Sequence, residues 1–588
     1  MIPQENRKLL EKNLNTLAQL NSSLANKLRK ISFPDDLKFI PATDGYNTAF
    51  SSVLSRSGWL AGTSAPSIRE SVIIENFSPG NANILLAGTG QGFGIKLLLE
   101  KLEPYQAIFV WEQNLLSLTL TLSLYDFSNA IKTSRLVFLT ESDLKQCLQN
   151  YFIAHPEFAF PVKVIHWPWL SEKKIQEISL TIEQAFTDIT RKHSEKMSEL
   201  ENLLAQKAAQ IDSQSTLNKI FIISFAHTPE HFRFAKSLAT AARTRNVQVE
   251  TYLFDTPKHG THLALLEELV SFAPDNIVLI ATAKNNVPFK LPDTIRTTSI
   301  LSLPNKTISQ EQLERLQICK NEKIIVGSES DAKFLQNHIS ADKIYYIKIA
   351  VDDISFVPIE QTPEFDIAIF ANKPDDNPEK YGVRQNSHKK LWHALADAIS
   401  KQAIEFSVDK TEQFVKNACK ATGVEFNDEE LFDSFASIVK QALAPSSVVS
   451  TITGKIIHSD LKTRIFGVNQ NAQITHIPDE PSKLNKILNS AKIILVIDIE
   501  TNWKELVFDA VCAGKIVVVK PLSNDNLSSF TEIANAIRYL NSQQNIITQI
   551  KNIIANYEQS KSSVNSARKF LADNYSFRKI IEIILDKT

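Results

Sequence analysis

Short apolar runs alternate along this chain with longer stretches in which apolar residues return every three or four positions. The runs NILLAG (83–88), AIFVW (107–111), RLVFL (135–139) and VKVIHW (162–167) have the length and composition of strands buried on both faces. Helix-period stretches lie between them, such as IKLLLEKL and the segment carrying Leu115, Leu116, Leu118 and Leu122. Strand–helix alternation predicts parallel sheets with right-handed crossovers. Ahead of this series Leu10, Leu14, Leu17, Leu24, Leu28 and Ile31 form one stripe, which predicts an N-terminal helix stopped by Pro34. Between Ser171 and Thr228 there is neither glycine nor proline. Ile175, Ile178, Ile182, Phe186, Ile189, Met197, Leu200 and Leu204 there predict a long connecting helix, broken at most once.

The alternation then starts twice more. KIFIISF (219–225), VQVETYLF (247–254), NIVLIA (276–281), TTSILSL (297–303), EKIIVG (322–327) and KIYYIKIA (343–350) form one series. FDIAIFA (365–371), RIFGVN (464–469), AQITHI (472–477), KIILVID (492–498) and KIVVVKP (515–521) form the other. In the second of these, Asn427 and Glu430 are spaced as a capping box, with Leu431, Phe435, Ile438, Val439 and Ala442 as the buried face. The chain therefore reads as α/β, with three Rossmann-like domains, an N-terminal helix and a long connecting helix. The expected boundaries are 1–170, 171–215, 216–358 and 359–588.

Composition narrows the functions. The chain has 588 residues and a formal net charge of −1, which gives no global footprint for nucleic acid or an anionic membrane. The N-terminal MIPQENRKLLEKN is polar and unlike a secretory signal, and no apolar run approaches the ~20 residues that span a bilayer. The four cysteines are far apart and form no CxxC pair, so reduced thiols in a cytoplasmic protein are expected. Only 15 glycines occur, where average usage of ~7% would give about 40. Each glycine in a turn is therefore informative.

The first cluster of glycines is GTGQG, with Gly88, Gly90 and Gly92 placed after one strand and before a helix. Glu112 ends the next strand, where a ribose-binding acid would stand. Phe93 occupies the third glycine position of GxGxxG, so the spacing fits the GxGxG of class I methyltransferases better. S-adenosylmethionine is thus a candidate ligand, and a tight turn in a domain without ligand is the alternative. The phrases EKNLNTLAQLNSSLANKL, GWLAGTSAPSIRESVII, NILLAGTGQGFGIKLLLEKL, IFVWEQN and YDFSNAIKTSRLVFL resemble the N-terminal region of Maf-type flagellin glycosylation proteins, over about residues 1–170. That resemblance implies a Rossmann-like accessory domain in a bacterial protein-glycosylation factor.

From 216 onward a second resemblance appears. KIYYIKIAVDDISFVP is similar to the interdomain crossover of GT-B glycosyltransferases. FDIAIFAN, RIFGVN, EPSKLNKILNSAKIILVID, ELVFDAVCAGKIVVV and FLADNYSFRKIIEIIL resemble the spore-maturation CgeB-type members. The resemblance implies that the last two domains pair as a GT-B fold, with the acceptor on 216–358 and a nucleotide-sugar donor on 359–588. It also implies that Asp509, in VFDAVCAG, holds the donor ribose where the family carries Glu. The family's Arg three residues earlier is Leu506 here, with Lys504 or Lys520 as unaligned substitutes for its charge. Gly514 closes the same stretch, as a helix C-terminal glycine that the family also carries. Gly467 and Asn469 follow a strand and are candidates for the base or phosphates, and Asp498, Glu500 and Asn502 lie in the loop after KIILVID. His227 is a candidate general base toward an acceptor hydroxyl, with a surface-loop histidine as the alternative. No DxD follows a strand, and Asp352–Asp353 reads as the crossover turn, so metal-independent transfer with no required cofactor is expected. The expected partners are a nucleotide sugar and a protein or glycan acceptor, flagellin or a surface glycan by analogy. The competing readings are a methyltransferase acting through 1–170 and a non-catalytic scaffold.

Overall fold

The computed structural model of the chain describes residues 2–586, apart from positions 56, 168–169, 211–218, 305, 317, 320–321, 372, 427, 468–473, 479, 498–502 and 522–530. A short antiparallel hairpin, β1 (Lys38–Pro41) and β2 (Asn47–Phe50), precedes the first parallel sheet. That sheet contains β3 (Ile84–Ala87), β4 (Ile108–Trp111), β5 (Leu136–Leu139) and β6 (Lys163–His166), in the order β5-β4-β3-β6. The second contains β7 (Lys219–Ser224), β8 (Gln248–Tyr252), β9 (Asn276–Ile280), β10 (Arg296–Ile300), β11 (Lys323–Val326) and β12 (Ile344–Tyr346), in the order β12-β11-β10-β9-β7-β8. The third contains β13 (Phe365–Ala371), β14 (Thr463–Gly467), β15 (Ile474–His476), β16 (Ala491–Ile497), β17 (Ile516–Lys520) and β18 (Ile537–Tyr539), in the order β15-β14-β13-β16-β17-β18. Counted along its own chain, this last order is 3-2-1-4-5-6, the arrangement of dinucleotide-binding sheets. The order reverses between β13 and β16, whose register runs in parallel from Phe365 against Ala491 to Ala371 against Ile497. Such a reversal leaves a crevice at the carboxyl ends of the strands.

By compactness the chain divides into two units, one of residues 1–227, 250–297 and 316–321, the other of 228–249, 298–315 and 322–588. In the first unit, alternate residues of β3 feed different cores, as strand geometry requires. Ile84 and Leu86 pack with Leu10, Leu14, Leu17, Leu24 and Leu28, whereas Leu85 and Ala87 pack with Ile178, Ile182, Ala185 and Ile189. The leucine stripe expected on one N-terminal helix is divided between two, Gln4–Leu20 and Ser22–Arg29. Asn21 makes the break by accepting a hydrogen bond from Leu24 N, which caps the second helix. The long helix is unbroken over 38 residues, Glu172–Ala209. Its second half contributes Leu204 and Ala208 to a further core around Phe221, Ile223, Leu265 and Leu279.

In the second unit one large core surrounds β13, β16 and β17 and the helices that flank them. The predicted cap Asn427 lies outside the described residues, and Asp428 caps the helix Glu429–Ile438 by accepting from Glu430 N. Leu431, expected in the buried face, is 58% exposed. Phe432 packs instead, with its ring 5.8 Å from that of Phe426. A π-helical turn, Val439–Leu443, then shifts the phase before the helix Ala444–Ile457. At the end of the chain the helix Phe577–Leu585 packs against the helix Pro229–Arg243, with the rings of Phe577 and Phe234 4.9 Å apart. Val351 N donates to Tyr575 O and Phe577 N to Val351 O, which fastens the segment before β13 to this terminal helix.

Candidate functional site

The helix Trp503–Cys512 begins six residues after β16 and leads into β17. Its apolar face, Val507, Phe508, Ala510 and Val511, is fully buried against the sheet. Glu505 lies in its first turn and Asp509 four residues on, so the two acids share one face. Gly514 ends the helix at φ +76°, with Ala513 N bonded to Asp509 O and Gly514 N to Val511 O. A Cβ at Gly514 would also stand 3.0 Å from Pro358 Cγ. Gly514 is thus seated as a helix terminator.

What the two acids face was not visible in the sequence. Arg233, in the second turn of the helix Pro229–Arg243, donates to Glu505 at 2.8 Å. The two side chains are 19% and 22% exposed. Asp509 is 6% exposed, and among the described residues its carboxylate accepts no hydrogen bond. Burial pushes Asp509 well above the usual carboxylate range, with Arg233 pulling it down and Asp352 and Glu505 adding to the rise. Burial works against the charge of Arg233, but Glu505 and Asp509 outweigh it and raise the guanidinium further. Asp352 completes the group. Its carboxylate accepts from Ser355 N at 2.8 Å and from Ile354 N at 3.3 Å, while Oδ2 is buried without a hydrogen-bond partner. These side chains, with Phe234, Ser237, Pro304, Phe356 and Phe577, line a cavity of about 20 Å³, room for about one water.

The arrangement brings three acids to one arginine. It can hold an uncharged acid, a fixed cation and an ion pair that an incoming anion could exchange. Of the candidates from sequence, Asp509 is in this group and Leu506 is buried beside it. Gly467 is the last residue of β14. Asn469, Asp498, Glu500 and Asn502 lie outside the described residues. Lys520 donates to Phe406 O and Pro521 O, both at 2.8 Å, and so is engaged elsewhere. Arg233 escaped the sequence reading because it stands 272 positions before Glu505.

His227 belongs to the first unit. It is exposed, its ring lies 4.8 Å from that of Tyr105, and its Nδ1 is 3.3 Å from Phe254 O. His231, one turn on, shares the first turn of the helix that carries Arg233. In the N-terminal loop Gly88, Gly90 and Gly92 all have positive φ, at 96°, 59° and 102°. Glu112 accepts from Thr89 N and Thr89 Oγ1, each at 3.1 Å, and from Asn114 N at 2.8 Å. Its carboxylate thus ties the glycine loop to the end of β4.

No protein-family model matches the chain, and no curated protein matches it. Solved structures similar to it include glycosyltransferases. The Maf glycosyltransferase from Magnetospirillum magneticum AMB-1 shares 10% identity, covering 97% of this chain and 80% of its own, at a TM-score of 0.24. Anabaena HepE in complex with UDP and glucose shares 12% identity, covering 63% of this chain and 100% of its own, at a TM-score of 0.32. A sucrose-phosphate synthase from Thermosynechococcus elongatus shares 10% identity, covering 63% and 96%, at a TM-score of 0.31. Likenesses of this degree assign no residue and no reaction. Among the described residues no helix is long and apolar enough to cross a membrane.

Proposed function

We propose that residues 216–588 form a GT-B glycosyltransferase that moves a sugar from a nucleotide-sugar donor to a protein or cell-surface glycan acceptor, without a metal and in the cytoplasm. The observation that carries this reading is the acid pair Glu505 and Asp509 facing Arg233, on the helix that follows β16 of a sheet in dinucleotide-binding order. A nucleotide-sugar donor needs a cation for its diphosphate and an acid for its ribose hydroxyls. Arg233 takes the first role, in place of the charge missing at Leu506, and Asp509 the second. Because the cavity holds about one water while Arg233 is paired, donor entry requires Arg233 to leave Glu505 and bind the diphosphate instead. None of Cys147, Cys319, Cys419 and Cys512 is held in a disulfide, which suits a reducing compartment. The resemblance of 1–170 to Maf-type proteins supports a protein acceptor.

The test is calorimetric titration with UDP-, GDP- and CMP-sugars, with and without EDTA. One donor should bind the wild-type chain equally in both conditions. Asp509→Ala should weaken it roughly two- to tenfold, the value of one hydrogen bond between uncharged groups. Arg233→Met should weaken it at least as much. The closed cavity favours a second reading, a scaffold whose site is permanently shut by the Arg233–Glu505 pair. If the folded wild-type chain bound none of the donors, the scaffold would be the better account. The methyltransferase reading of 1–170 is the weaker one, since Glu112 is spent on the loop itself.

A further inference from the structure

The loop between β3 and the helix Phe93–Lys101 is built like an anion seat. Its glycines take left-handed backbone, and it delivers several N–H groups toward one point at a helix N-terminus. That point is filled. Glu70, on the helix Pro66–Glu75 and 0% exposed, accepts from Gln91 N and from Gly94 N, each at 2.6 Å. A Cβ at Gly90 would fall 2.4 Å from Glu70 Oε1, so only glycine lets the loop close on this carboxylate. Trp167 covers the seat. Its Nε1 donates to Gly88 O at 2.9 Å, and a Cβ at Gly94 would meet its ring at 2.5 Å.

The helix that delivers Glu70 is held at both ends. Asp44 accepts from Ser67 N at 2.8 Å and from Ser67 Oγ at 2.5 Å, and Lys101 Nζ donates to Ile74 O at 2.6 Å. Thr89 N, another donor of the loop, is taken by Glu112. Gln91, itself 0% exposed, gives its Nε2 to Asn47 O and Tyr125 OH, while its Oε1 is buried without a partner. The seat is therefore complete in its donors, and both carboxylates that satisfy them belong to the chain.

We propose that Glu70 is a built-in ligand: its carboxylate occupies the place of a cofactor's anionic group and holds the N-terminal domain closed to phosphorylated and adenosyl ligands. The seat has carboxylate chemistry and becomes a site for a small external carboxylate once the side chain is truncated. This inference is independent of the glycosyltransferase reading.

The test uses the full chain at pH 7.5, followed by thermal unfolding. Glu70→Ala leaves two buried N–H groups without an acceptor, and the first transition should fall by roughly 5–10 °C. Acetate at about 50 mM should recover several degrees of that loss and leave the wild type within about 1 °C, while chloride at equal ionic strength should recover none of it. Glu70→Gln keeps the side chain's length but turns an NH2 toward one of the two donors. It should unfold between the other forms, and it carries the test if the alanine variant does not fold. S-adenosylmethionine and ATP should give no binding heat with the wild type. Equal stability of the three forms, acetate acting alike on all, or micromolar binding of either ligand with Glu70 in place would each overturn the proposal.

Discussion

Arg233 shows how one side chain can set the state of several others. Glu505, Asp509 and Glu230 all bear on it, and it is the cation that the shifts of Arg233 and Asp509 both involve. Replacing it with methionine keeps most of the apolar stem and removes the charge. The acids are then left facing one another in a half-buried setting, so Arg233→Met should lower stability by about 1–3 kcal/mol, less than a fully buried pair because solvent still screens it. Asp509→Asn should be neutral or stabilising, since burial already works against the charged form of that residue. Urea unfolding of the two variants and their double would check both values. Equal losses for the two single changes would show that Asp509 is held as a charge by Arg233. The Asp509 position was legible from VFDAVCAG, because a local pattern sets a helix and its faces. Its partner was not legible, because nothing local links the first turns of one helix to those of another 272 positions on. The same holds for Glu70, which stands in SIRESVII as an ordinary helix acid until the loop closes on it.

At the scale of single elements, the glycine loop and its acid form a titrating unit. Burial raises Glu70 from 4.5 to about 7, while the N–H groups of Gln91, Gly94 and Phe93 pull the other way and Asp44 adds to the rise. Tyr125, the C-cap of the helix Leu115–Leu124, Tyr46 before β2 and Glu112 after β4 are further titratable groups around the loop. A carboxyl whose folded pKa is raised binds its proton more tightly in the folded than in the unfolded chain. Its contribution is therefore complete below pH 4.5 and is lost as the pH rises through about 7. The size is roughly 3 kcal/mol for a shift of that extent. Stability of the first unit should accordingly fall between pH 4.5 and 7 in the wild type, and Glu70→Gln should flatten that slope. Denaturation midpoints at half-unit pH steps would show it, and an unchanged slope in the variant would assign the titration to another group. The strands were legible at this scale, since buried apolar runs have few alternatives in an alternating chain. Breaks within helices were less so. Asn21 and the π-turn at Val439–Leu443 depend on which side-chain bond or packing phase prevails, and hydrophobic period alone does not decide that.

Over the whole molecule the long helix Glu172–Ala209 is one unbroken element that contributes to two interiors of the first unit. Ile178, Ile182, Ala185 and Ile189 belong to the core under the first sheet, and Leu204 and Ala208 to the core around Phe221 and Leu279. Both cores lie in the first unit. One continuous helix forces them to order together, because its hydrogen-bond ladder runs through the segment between them. Ser198 is exposed and sits in that segment. Ser198→Pro removes one i to i−4 hydrogen bond and clashes with the preceding turn, at a cost of about 3 kcal/mol or more, without touching either core. The two cores should then lose their coupling. Scanning calorimetry of the wild type should give one transition for this unit, and the proline variant two. Amide exchange should report the same separation, with the segment around Ile182 protected to a different degree from that around Leu204. Ser198→Ala is the control, and it should leave a single transition because alanine continues the helix. A single transition in the proline variant, merely shifted to lower temperature, would mean that contacts other than this helix couple the two cores.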